Sequence, residues 1–153
     1  MSVNISIQTI RRPFDISSIE VSAPFACLLH SSQEDLSNDE LMLVANWLVS
    51  SGCTEVICAG LRCSEWHNVI EAVNTIRDPS AKILIKTTLN ENESIEDVIW
   101  VWMDIAKYEN TPSQNILALL IGGSIAMKAK ALTGFMNYPF SSETKLILKE
   151  TNK

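Results

Sequence analysis

At 153 residues and 17.0 kDa, with 46% hydrophobic and 20% charged residues, the chain can bury a core without staples and has neither a disordered nor a fibrous composition. A formal net charge of -6 argues against nucleic acid as a direct partner, because phosphate binding needs clustered Lys and Arg, and favours basic partners or plain solubility. Four cysteines make no disulfide scaffold, no apolar h-region opens the chain and no apolar run reaches membrane length, so a reduced, cytoplasmic protein is expected, with no membrane partner.

Val3, Ile5 and Ile7 alternate with Asn4, Ser6 and Gln8, the period of a half-buried strand, expected toward a sheet edge. Residues 13–23 read as a connector. Phe25 to Leu29 is a continuous apolar run, as in a strand buried on both faces, and His30 closes it. Ser37 with Glu40 forms a capping box that opens a helix to about Ser51, and Gly52 supplies its left-handed end. Leu41, Val44, Ala45 and Leu48 make that helix's core stripe, while Leu43 and Trp47 fall off it.

Thr54 to Ala59 reads as a strand, Gly60 as a tight turn, and residues 62–77 as a helix with the stripe Trp66, Val69, Ile70, Val73 and Ile76. Asp78-Pro79 stops it. Lys82 to Thr87 is a further strand. Ser94 with Asp97 starts a helix whose stripe is Ile95, Val98, Ile99, Trp102 and Ala106, leaving Trp100 off the stripe. Asn115 to Ile121 is a strand ended by Gly122-Gly123. A weaker helix follows, with Ile125, Ala129 and Leu132 on one face and Gly134 near its end, and 144–149 is a last strand. Alternating strands and helices at this spacing imply βαβ units. The expected fold is a single domain, 1–153, forming a three-layer α/β/α sandwich with a mainly parallel sheet, Rossmann-like or flavodoxin-like. Its central strands should be 25–29, 54–59, 82–87 and 115–121.

In such a fold, ligands sit at the carboxyl ends of the strands, where His30, Gly60 to Cys63, Thr87-Thr88 and Gly122-Gly123-Ser124 fall, with loops 31–40 and 88–97 around them. Cys63 and His67, four apart on one helix face, have a metal-ligand spacing. Cys58 could come near, but Cys53 is separated from it by about 16 Å of strand at 3.3 Å per residue. Too few ligands remain for a closed zinc site, so no metal is assigned. His30 is the better base for a Cys63 thiolate if their strands are neighbours. Neither nucleotide-binding glycine motif occurs, and no cofactor is assigned. The acids are more suggestive. Glu34, Asp35, Asp39 and Glu40 in one loop, and Glu91, Glu93, Glu96 and Asp97 in another, come without Lys or Arg and should rim one end of the sheet. Trp47 and Trp100, off their stripes beside these acids, have the composition of an interface.

Gly52-Cys53, Cys58-Ala59-Gly60, Cys63-x-x-Trp66-His67, Thr87-Thr88 and Glu93-Ser94-Ile95-Glu96 resemble a family of small, uncharacterised bacterial α/β proteins, a domain of unknown function, over about residues 24–108. In that family the turn reads Cys-Ala-Trp-Gly, His is followed by Asp, and Thr-Thr by Trp-His. Here Ala59-Gly60-Leu61, Asn68 and Leu89-Asn90 stand there, and the lost polar groups imply a non-catalytic member. By type alone, a small, acidic, catalytically bare chain also looks like the immunity proteins that neutralise secreted toxins. The functional expectation is therefore a protein-binding module of antitoxin type. It would occlude a basic toxin through Glu34, Asp35, Glu91, Glu93, Trp47 and Trp100. The alternative is a small-molecule binder or hydrolase-like enzyme using His30, Cys63, His67 and Thr87.

Overall fold

The computed structural model describes residues 2–77, 84–87, 94–107, 113–140 and 145–151. Six strands alternate with four helices: β1 (Ser2–Ile10), β2 (Phe25–Ser31), α1 (Asn38–Ser50), β3 (Cys53–Gly60), α2 (Cys63–Arg77), β4 (Leu84–Thr87), α3 (Ile95–Lys107), β5 (Ser113–Ile121), α4 (Ile125–Asn137) and β6 (Lys145–Thr151). They form one sheet in the order β4-β3-β2-β5-β1-β6. Each pairing is parallel. This is the expected α/β/α sandwich of Rossmann-like or flavodoxin-like type. No helix among the described residues is long and apolar enough to cross a membrane.

Alternation along each strand divides the core in two. Cys27, Leu29, Val56, Cys58, Leu117 and Leu119 pack beneath α1 and α2. Leu28, Ile57, Ala59, Ile116, Ala118 and Leu120 pack beneath α3 and α4. The winding runs β2, β3, β4 in one direction. The chain then passes through α3 and returns to β5 on the other side of β2. The strand order thus reverses between β2 and β5, which is where such sheets open a crevice at their carboxyl ends.

Two strand placements differ from expectation. β4 is an edge strand, and β1 lies inside the sheet between β5 and β6. The polar side of β1 faces the backbone of the connector, which needs hydrogen-bond partners. Gln8 Nε2 donates to Ser18 O at 2.9 Å, Ser6 Oγ donates to Glu20 O at 3.2 Å, and Gln8 Oε1 accepts from Glu20 N at 3.3 Å. Ile16, Ile19 and Val21 of the connector pack on the core beneath α1 and α2, and so does Trp47.

Helix phases also needed correction. In α4 the residues facing the core are Ala131, Gly134 and Phe135, with Met127 and Leu132 partly buried, whereas Ile125 is 83% exposed. Gly134 is inside this helix, where a Cβ would come within 2.9 Å of Ile99 Cδ1 and 3.4 Å of Glu96 Cα. Its missing side chain lets α4 approach α3 beside Glu96. Ile76, in the last turn of α2, is 79% exposed and so off the core stripe. The expected stripes of α1 and of the first two turns of α3 are buried.

Candidate functional site

The carboxyl ends of β3, β2, β5 and β1 are tied to one another by main-chain bonds. Leu61 N donates to Ser31 O at 2.8 Å, Ser32 N to Ile121 O at 2.9 Å, and Gly122 N to Ile10 O at 2.8 Å. Gly60 makes the first of these possible. Its φ is +80°, and a Cβ there would stand 2.3 Å from Ser31 O, so strand-to-helix passage at this point requires glycine. Arg62 also has positive φ (61°), a conformation that persists only where the surroundings hold it. Its guanidinium donates to Leu36 O at 2.7 Å, Glu34 O at 3.1 Å and Glu65 Oε1 at 3.0 Å.

With these amides occupied, recognition above the sheet falls to side chains. A cavity of about 270 Å³ opens on the α3/α4 side, between the ends of β2 and β3 and the first turns of the two helices. Its walls include His30, Ser32, Gly60, Glu96, Met127 and Lys130. Among the described residues, His30 Nδ1, Ser32 Oγ and Glu96 Oε1 are buried without a hydrogen-bond partner. A buried polar atom left unpaired costs about 1–3 kcal/mol. Other buried polar atoms are unmatched too, such as Nε1 of Trp66 and of Trp102, but these three line one opening. His30 is only 6% exposed, and burial holds its imidazole below the usual histidine range. It is a neutral donor–acceptor at physiological pH.

A larger groove of about 580 Å³ lies on the opposite face, by Asn4, Ser22, Asn115 and Ile147. Its two asparagines have partners: Asn4 Nδ2 donates to Asn115 Oδ1 at 3.1 Å, and Asn115 Nδ2 to Pro24 O at 3.4 Å. Size favours this groove, but unmet hydrogen-bonding capacity favours the cavity.

The expected site residues scatter. Cys63 is 1% exposed and packs with Cys27, Cys53 and Cys58 in the core under α1 and α2. Strand parity puts His30 on the other face of the sheet, so no Cys63–His30 pair forms. Burial pushes the Cys53 thiol up to about 12, and those of Cys27 and Cys58 also upward, opposite to what a nucleophile needs. The four cysteines are thiols, outside any disulfide. His67 Nε2 lies 3.0 Å from Glu71 Oε2, one turn along α2. Among the described residues no three His, Cys, Asp or Glu could hold a metal ion. Thr87 ends β4, at the sheet edge.

The acidic rim is not bare. Arg12, from the end of β1, meets Asp35 Oδ2 at 3.3 Å and Glu40 Oε2 at 2.7 Å, and also donates to Asp35 O. Together with the capping-box bond from Ser37 N at 2.9 Å, this holds the Glu40 carboxyl down to about 2. Glu34 and Asp35 remain exposed. Glu91 and Glu93 lie outside the described residues. Trp47 is half-buried and stacks on Phe25 at 5.7 Å. Trp100 is 43% exposed, with its ring edge-on to Tyr138 at 5.7 Å.

Sequence reasoning missed Ser32, Lys130 and Met127, and met Glu96 only as one acid of a rim. A signal was present for Glu96, which lies one turn before Trp100 and directly after the buried Ile95. The arginine clamp left no local signal, because Arg12 and Arg62 flank the loop at 20 or more residues' distance. No curated protein and no solved structure matches the chain. Residues 6–133 match a family described as a domain of unknown function (DUF7684), and the chain belongs to that family.

Proposed function

We propose that this protein binds a small polar molecule in the cavity over the ends of β2 and β3. The observation that carries the reading is that His30, Ser32 and Glu96, each with a buried polar atom that has no partner among the described residues, line one opening. A bound molecule supplying partners to these atoms would offset their desolvation. The loop after Ser32 is tied on both sides, by Arg12 and by Arg62, so that wall of the site is preformed, which favours binding of a small ligand. The buried thiols, none in a disulfide, fit a reducing, cytoplasmic setting.

The test is amide chemical-shift mapping against a chemically diverse set of small polar compounds. Shifts confined to 30–32, 60–61 and 94–96, and lost in His30→Leu, are expected. Shifts centred on the Asn4–Asn115 groove, or no shift with any compound, would overturn the reading.

Toxin neutralisation by occlusion is the second reading. Trp100, exposed next to an exposed Val101 on α3, favours it. It draws less from Trp47, which is packed on Phe25, and from Asp35, which shares Arg12 with Glu40. Capture of a basic secreted toxin from a bacterial host, with an association rate that falls with salt, would support it.

A further inference from the structure

The three unmatched atoms have a common character. Glu96 Oε1 is an acceptor, Ser32 Oγ can accept, and neutral His30 accepts at Nδ1 when its proton is on Nε2. Three residues with an acceptor each around one opening suit a group with three hydrogens to give. A primary ammonium has three N–H donors and a positive charge for the carboxylate. Among the described residues Glu96 has no ion-pair partner. At the other side of the same cavity stands Lys130, on the exposed side of α4. Its ammonium likewise has no ion pair among the described residues. A carboxylate and a lysine thus share a cavity without pairing with each other. The available space, about 270 Å³, suits a molecule of about ten heavy atoms at the small end of ligand pockets.

We infer that the ligand is a small zwitterion of amino-acid type, with its ammonium held by Glu96, Ser32 and His30 and its carboxylate toward Lys130. The inference rests on the proposed binding function and specifies its ligand class.

Four matched probes separate the possibilities: L-serine, 2-aminoethanol, glycerate and glycerol. 2-Aminoethanol lacks the carboxylate of serine, glycerate has a hydroxyl in place of its ammonium, and glycerol has hydroxyl groups in place of both charges. Shift mapping at high millimolar concentration should rank serine first and 2-aminoethanol second, with glycerate and glycerol far weaker. Glu96→Gln should cost serine about ten- to hundredfold in affinity, the worth of a charge-assisted bond. It should also abolish the preference for serine over glycerate. Lys130→Met should instead erase the preference for serine over 2-aminoethanol, and as an exposed position it should leave folding untouched. If glycerol or glycerate shifts His30 and Gly60 as strongly as serine does, the zwitterion is wrong and the binding site stands. If all four are silent while another compound of the diverse set shifts the same residues, the inference again fails alone. If the diverse set is silent as well, both fail.

Discussion

The two faces of the sheet meet their helices in opposite ways at the carboxyl end. Under α1 and α2, Cys58, Cys63 and Trp66 are sealed at 0–1% exposure in an unbroken apolar core. Under α3 and α4, His30, one residue beyond the closed-face Leu29 on β2, borders with Gly60 an opening lined by residues that carry unmatched polar atoms. Consecutive residues point to opposite faces, so a single stretch of sequence supplied both a closed core and an open site. Chemically suggestive residues on the closed face are therefore packed in the core, and the residues proposed to recognise a ligand belong to the other face.

That comparison is broken most strongly from the closed side. Trp66→Ala should lower stability by about 3–5 kcal/mol, as large aromatic truncations in cores do, yet leave ligand affinity unchanged in whatever fraction folds. Denaturant unfolding and shift mapping together check this. Loss of binding in a still-folded variant would mean the faces are coupled. Cys63→Ser is the next largest. It replaces a buried thiol with a hydroxyl, and should cost about 1–3 kcal/mol without altering binding. A variant as stable as the parent would mean that the thiol is not packed as the burial indicates.

On the open side the signs reverse. His30→Leu removes a buried polar atom that has no partner, so stability at neutral pH should stay within about 1 kcal/mol of the parent or rise, while binding is lost. The pH dependence sharpens the contrast. Burial lowers the His30 pKa from its ordinary value of 6.5, so the folded state binds fewer protons than the unfolded chain below that value. Stability from this group is intact above the ordinary value and falls as the pH drops through it. The slope is at most about 1.4 kcal/mol per pH unit. His30→Leu should lack that component. Identical acid profiles for parent and variant would overturn the assignment of a desolvated imidazole.

The overall fold was legible because buried parallel strands are continuous apolar runs and helices have their own period, and both signals are local. Where reading failed, the deciding neighbour was distant in sequence. Alternation in residues 3–8 reported correctly that one side of β1 is polar, but period alone does not distinguish water from the backbone of a connector as the polar neighbour. The α4 phase was misread because Ile125 is the more apolar residue, whereas Gly134 against Ile99 fixes which face docks. For the site, His30 was legible as a polar residue ending an apolar strand. Its partners were not, since Glu96 and Lys130 reach it only through the α3–α4 approach.

The smallest effect concerns how the open side is held in shape. Arg12 joins Asp35 and Glu40 at the surface, and such exposed pairs contribute at most about 1 kcal/mol and weaken with salt. Arg12→Met should therefore barely move the unfolding midpoint at neutral pH. It should, however, free the loop after Ser32 on one side, since Arg62 grips only the main chain of Glu34 and Leu36 on the other. Ligand affinity should then fall severalfold, because a looser site must be ordered on binding. Acid provides an independent handle. Glu40, held down to about 2 from 4.5 chiefly by Arg12, stabilises the fold above the ordinary carboxylate range and loses that contribution as the pH falls toward 2. The loss sets in at the ordinary carboxylate value, below the ordinary histidine value at which the His30 loss sets in, so the two onsets are separated in one profile. Arg12→Met should flatten the lower part of the profile and leave the upper part unchanged. If it flattened the upper part instead, the clamp and the cavity would be one electrostatic unit, and the separation drawn between loop positioning and ligand recognition would be false.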